Sequence, residues 1–347
     1  MSANPVLVEV TRGPAVESRH RGAFVVSDAS GKIAWTAGNA DMPVYPRSSA
    51  KPLQALPLIE TGAADRFNLT DRELALACAS HKGEPQHVAA VEAWLARIGL
   101  DVSHLACGVQ PPRAPEAAEQ AICERTALNA AYHNCSGKHT GFLTACVHCG
   151  DSPAGYIEPD HPAQRRVTQA LSEMCGCDLA RVPQGRDGCG IPVYAMPLKS
   201  LALGMARLAD PSGLPQARAE AARRLLHAMA AEPFYVSGTG GFTTEAMLAA
   251  PGLCVKGGAE GVYAAALPEL GLGVALKIGD GAGRAAECAM AHMLLKLGCF
   301  DAGAEARLAR FLHPVIVTDA GRPAGTIRAT LPAAVPSREK QGLFDSQ

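Results

Sequence analysis

Gly22-Ala23-Phe24-Val25-Val26, then Asp28-Ala29-Ser30-Gly31, then Ile33-Ala34-Trp35-Thr36-Ala37: two apolar runs on either side of a turn signal read as a β-hairpin early in this 347-residue chain. Upstream, Val6–Val10 alternates apolar and polar positions, so the opening segment is antiparallel strand. Downstream the period changes. Lys51 to Gly62 is spaced as helix, and 70–99 reads as helices that start at the cap candidate Thr70 and resume after Gly83-Glu84-Pro85. Asp160-His161-Pro162 opens another helix, and residues 214–231 and 285–298 add two more. Strand signals return at Leu253–Lys256, Gly261–Ala266 and Gly273–Ile278, with Pro314–Asp319 and Gly325–Thr330 as expected edge strands. Strands, a helical middle and strands again predict an α+β sandwich, its sheet drawn from both ends of the chain. One catalytic domain over 1–331 and a polar, flexible tail over 332–347 are expected.

Composition narrows the partner. The chain is 48 % hydrophobic and 19 % charged, with formal net charge −1. That balance gives no electrostatic case for nucleic acid or an anionic membrane, which leaves a small molecule or another chain. The N-terminal residues show no basic region followed by an apolar run, and no stretch reaches the ~18 apolar residues of a membrane span. A cytoplasmic protein is therefore expected, and its 12 cysteines are expected to be reduced. Cys78, Cys254 and Cys288 lie in apolar runs and are expected in the core. Cys146-Val147-His148-Cys149 also reads as core, and Cys175-Gly176-Cys177 as a turn after a helix.

Four clusters could carry chemistry. Arg47-Ser48-Ser49-Ala50-Lys51 places a hydroxyl and an amine one helical turn apart on one face. Lys51 can take the Ser48 proton only when neutral, which requires its reference pKa of about 10.4 to fall by burial beside a second cation. Ser80-His81 sits where a helix breaks, and adjacent residues of this kind diverge rather than pair. Asn134-Cys135-Ser136-Gly137-Lys138-His139 and Asp187-Gly188-Cys189-Gly190 bring two thiols and an amine into play, soft donors that suit zinc, although buried thiols and a surface lysine are the plainer reading. Finally, Leu253-Cys254-Val255-Lys256-Gly257-Gly258 is a strand ending in Lys-Gly-Gly. Ser-x-x-Lys early, Tyr132-His133-Asn134 in the middle and Lys-Gly-Gly late echo the order of penicillin-recognising enzymes and their glutaminase relatives. The glycine clusters at 238–241 and 279–283 lack the phosphate-loop ending and read as turns.

Together with Glu17-Ser18-Arg19-His20, Pro52-Leu53-Gln54 after Lys51, and Asp160-His161-Pro162, these motifs resemble the rhizobial-type L-asparaginases over roughly residues 8–330. The resemblance implies a serine β-lactamase/glutaminase-like fold, a homodimer and hydrolysis of L-asparagine through Ser–Lys acyl-enzyme chemistry. It implies two tandems, Ser48 with Lys51 and Ser80 with Lys256, and a zinc site at Cys135, Lys138 and Cys189. Candidate substrate contacts are Arg47, Ser49, Asp187 and His139, with Arg47 on the α-carboxylate and Asp187 on the α-amine. Lys82 departs from the pattern, where a small residue is expected. A β-lactamase or peptidase-like acyltransferase, a glutaminase, a zinc-dependent amidohydrolase and a silent amino-acid-binding protein are the competing readings. One methylene is worth only ~1–3 kcal/mol in a pocket, so asparagine and glutamine are both candidate substrates.

Overall fold

The structure, a computed structural model, describes residues 3–333, so most of the expected tail lies outside the described residues. The opening hairpin is present: β1 (Val6–Arg12) pairs with β2 (Ala15–Asp28), and β2 pairs with β3 (Ile33–Ala37). After the helical middle come β4 (Cys254–Gly258), β5 (Val262–Leu267) and β6 (Leu272–Ile278), then β7 (Val315–Val317) and β8 (Pro323–Ala329). Among the described residues these eight strands form one antiparallel sheet, ordered β7-β8-β1-β2-β6-β5-β4 with β3 against β2. The two ends of the chain thus share a sheet, the α+β arrangement expected. One expectation is corrected. β8 is interior, because it bonds both β1 and β7, and only β7 lies at that edge.

Both faces of the sheet are covered, and the strands show it by period two. On β2, Phe24 and Val26 enter one apolar core while Ala23 and Val25 enter the other. The first core lies under α5 (Gly283–Lys296), whose Ala285, Ala289 and Met293 are buried against it. The second faces the helical middle of the chain: α1 (Lys51–Gln54), α2 (Asp71–Ala77), α3 (Ser136–Cys149) and α4 (Leu198–Ala209). Thr70 and Glu73 form the capping box that starts α2, with the Thr70 N–H donating to Glu73 Oε2 at 2.8 Å. The cap before Pro162 is His161 rather than Asp160, since the His161 ring accepts the Ala163 N–H at 3.2 Å.

The helix-facing side of β5 and β6 is built from small residues, Ala264, Ala266, Ala275 and Gly273, which lets α4 lie close to the sheet. A β-carbon at Gly273 would stand 2.1 Å from the Ala206 nitrogen and 2.2 Å from the Ala202 oxygen. Both obstacles are helix backbone, so α4 would have to move. Gly273→Ala is expected to cost about 1–3 kcal/mol, read as a lower urea midpoint at unchanged slope.

Candidate active site

Ser48 reaches the cleft, with Lys51 buried behind it, through a turn with an unusual entry. Arg47 has φ +51°, a left-handed conformation that costs a non-glycine residue of order 1–3 kcal/mol and tends to survive at functional sites. The following residues 47–50 form a 3₁₀ turn that runs into α1. Ser48 is half-buried and lines the cleft, and its hydroxyl has no hydrogen-bond partner among the described residues. Ser49 points inward, wholly buried, and donates to the Pro46 carbonyl at 2.6 Å. Lys51 is wholly buried. Edge strand β4 packs beside this turn because Gly258 has no side chain; a β-carbon there would meet the Pro46 oxygen at 2.8 Å. Alternation along β4 turns Cys254 and Lys256 toward the helices and Val255 the other way.

Ser80 follows α2, its N–H donating to the Val236 carbonyl at 2.9 Å. Gly137 lets α3 cross α2 closely; a β-carbon there would lie 2.4 Å from the Leu76 oxygen. The outcome is a serine between two amines. Ser80 Oγ is 2.9 Å from Lys51 Nζ and 2.9 Å from Lys256 Nζ. Lys51 also donates to the Ala79 carbonyl, and Lys256 to that of Gly257 at 2.9 Å. The hydrogen bond of Lys51 therefore goes to Ser80 rather than to Ser48.

Electrostatics in this pocket favour neutral amines. Burial lowers the Lys51 pKa, and Lys138 lowers it further, against a partial offset from the sulfurs of Cys135 and Cys189. Burial pushes Lys256 well below the usual lysine range, and the neighbouring Lys51 adds to it. His81 is no base here. Burial holds it well below its usual pKa, its Nδ1 accepts the Gly83 N–H at 3.1 Å, and Nε2 lies 2.8 Å from Ser136 Oγ. Its role is to fix the turn that carries Ser80.

Beside the amines lies the sulfur cluster. Lys138 Nζ donates to Cys189 Sγ at 3.0 Å. The neighbouring Cys189 thiol, with Lys51 and Lys138 nearby, lowers the Cys135 pKa well below its usual range against the effect of burial. The same pairing raises Cys189. Burial lowers Lys138, but the two sulfurs outweigh it and raise its pKa. Among the described residues no three His, Cys, Asp or Glu side chains gather as a metal site, so a metal here would need Lys138 as its third donor. The convergent sulfur–sulfur–nitrogen set fits a soft dication, provided the metal displaces the lysine proton. Cys78, Cys254 and Cys288 are free thiols and buried, as expected.

Arg47 Nε lies 2.7 Å from Asp187 Oδ1. Burial would raise the Asp187 carboxyl, but Lys138 and the Arg47 guanidinium hold it below its usual range. Both residues line the cleft, of ≈ 670 Å³, with Ser48, Ser80, Cys135, Cys189 and Lys256. Ser49 and His139 do not. The His139 ring is wholly buried, with Nδ1 2.6 Å from the Tyr156 hydroxyl. The cleft also holds residues the sequence reading passed over: Arg113, Tyr263 and Glu287. Arg113, the one cation in the stretch Pro111-Pro112-Arg113-Ala114-Pro115, was the legible signal. No helix among the described residues is long and apolar enough to cross a membrane.

The family model of L-asparaginase II matches residues 8–329. It takes in every element of the cleft, and the chain belongs to the L-asparaginase II family, hydrolases acting on amides. No curated protein sequence matches it. Among solved structures, a β-lactamase from Mycobacterium bovis is similar at 15 % identity and TM-score 0.36, covering 84 % of this chain and 94 % of its own. A simvastatin synthase mutant from Aspergillus terreus is similar at 12 % identity and TM-score 0.37, covering 74 % and 86 % respectively.

Proposed function

We propose that the chain is an L-asparaginase that forms a β-aspartyl ester on Ser48 and releases ammonia. The observation that carries this reading is a serine hydroxyl held between two buried amines, in a cleft also lined by a second serine that has no hydrogen-bond partner among the described residues. Lys51, its pKa lowered by burial, takes the Ser48 proton as the hydroxyl attacks the side-chain amide. Ser80, bonded to both Lys51 and Lys256, passes a proton across to the leaving amine and later helps water open the ester. Backbone N–H groups around Ser48 stabilise the oxyanion. Arg47 and Asp187, already paired to each other, separate to meet the substrate's α-carboxylate and α-ammonium. Zinc, held by Cys135, Cys189 and Lys138, would supply positive charge that orients the substrate. The setting is a cytoplasmic homodimer.

A second reading has one observation in its favour. Because Lys51 bonds Ser80 rather than Ser48, Ser80 could itself be the nucleophile. Acid-quenching the enzyme during turnover of L-asparagine and mapping the peptides by mass spectrometry separates the two. A β-aspartyl ester is expected on the peptide carrying Ser48, whereas an ester on Ser80 moves the nucleophile there. Ammonia release from neither asparagine nor glutamine overturns the assignment of the reaction.

A further inference from the structure

The asparagine chemistry uses only part of the cleft. From the two serines, one wall runs through the Arg47–Asp187 pair to Cys189, behind which Lys138 is buried. A second wall leads away from it. Lys82 Nζ donates to the Thr239 carbonyl at 2.5 Å and lies beside Gly241. The Phe242 ring stands 5.6 Å from that of Tyr263 and 5.2 Å from that of Phe311, and the Tyr263 hydroxyl donates to Glu287 at 3.3 Å. This wall is preformed. Glu84 accepts the Thr239 N–H at 2.9 Å and its hydroxyl at 2.7 Å, which fixes the loop.

Two cations on this side have capacity to spare. The Lys82 ammonium has three N–H donors and spends one on Thr239. Arg113 is exposed and lines the cleft, and its backbone N–H donates to the Lys82 carbonyl at 2.7 Å. Among the described residues its guanidinium has no ion pair or hydrogen bond. A cleft of ≈ 670 Å³ falls in the range that encloses drug-sized ligands, far larger than asparagine.

We propose that the chain also hydrolyses β-aspartyl dipeptides, in which the amide nitrogen of the asparagine side chain carries a second amino acid whose carboxylate binds Arg113 and Lys82. The inference rests on the asparaginase reading of the same site. The aspartyl end keeps Arg47 and Asp187, and the leaving residue lies along the second wall. Ser48 Oγ forms an ester bond to the β-carbonyl carbon as the C–N bond breaks. The serine proton passes through the lysines to the departing amine, and water then cleaves the ester to aspartate and restores the serine. Glu287, on this same wall beside Tyr263 and near Lys82, disfavours an acidic leaving residue by like charge.

The test compares purified wild type and Arg113→Ala on L-asparagine, β-aspartylglycine and β-aspartylglycinamide, reading the released amine by chromatography. Wild type is expected to cleave β-aspartylglycine. Arg113→Ala is expected to lower kcat/KM for that dipeptide, relative to asparagine, about tenfold or more. The glycinamide, which lacks the carboxylate, should show no such drop. Asparagine turnover with no dipeptide cleavage overturns this inference and leaves the asparaginase reading standing; release from none of the three overturns both. Equal losses on dipeptide and amide overturn the carboxylate contact and the proposal with it.

Discussion

Ser48→Ala is expected to lower ammonia release from L-asparagine by about 10³-fold or more, with substrate binding retained. Its hydroxyl lines the cleft without a hydrogen-bond partner among the described residues, so the variant should fold as wild type does. Ser80→Ala is expected to cost less, about 10²-fold, because a proton relay adds rate without being the group that is acylated. It also takes away the acceptor shared by Lys51 and Lys256. Near-wild-type turnover by Ser48→Ala, measured by coupled ammonia assay, sinks the acyl-enzyme scheme on this serine. A larger loss in Ser80→Ala than in Ser48→Ala shifts the nucleophile to Ser80.

Lys256→Met should move activity and stability in opposite directions. Turnover is expected to fall about 10²–10⁴-fold, since the amine beyond Ser80 is gone. Stability is expected to rise by about 1–2 kcal/mol at neutral pH, because a buried amine beside Lys51 is replaced by an apolar chain of similar length. The pH dependence follows from the sign of the shift. A lysine whose folded pKa lies below its unfolded value binds fewer protons in the folded state, so the wild type gains stability as pH rises between the two. The stability difference between variant and wild type should therefore be largest at and below the folded pKa of Lys256 and shrink toward about pH 10. Urea midpoints at pH 7 and near pH 10 measure it. In wild type, turnover should fall as pH drops through the lowered lysine range, because the working amines are neutral. A constant stability difference across pH, or a variant less stable than wild type, contradicts a depressed Lys256.

The sequence made the sheet legible, because its strands announce themselves by period and turn residues. Asp28-Ala29-Ser30-Gly31 could only be a hairpin turn, and Lys-Gly-Gly at 256–258 ended a strand as read. It also made the parts of the site legible, since Ser-x-x-Lys, Cys-Ser-Gly-Lys and Asp-Gly-Cys each name a chemistry. What spacing could not show was partnership. A hydrogen bond between Lys51 and Ser80 depends on how the turn after α2 meets the start of α1, which is a packing fact with no local signature. Ser49 and Ser48 are neighbours of one type, and only the turn that follows a left-handed Arg47 decides which faces the cleft. His139 sits beside a motif lysine, yet its helix position places it in the core against Tyr156. Arg113 and Glu287 reach the cleft from segments with no catalytic pattern.

The pairing of β2 with β6 joins residues 22–28 to residues 272–278, across the whole helical middle. During synthesis this has a cost in time. Until the ribosome has delivered β4, Lys51 and Ser80 lack the second amine, and the central strands of the sheet wait without half of their partners. Contacts of such sequence separation form late, and unpaired strand edges must be kept from other chains meanwhile. Under the proposed chemistry a nascent chain stays inert until Lys256 has been delivered, and in vivo yield should depend on chaperone capacity more steeply than the stability of the finished chain suggests.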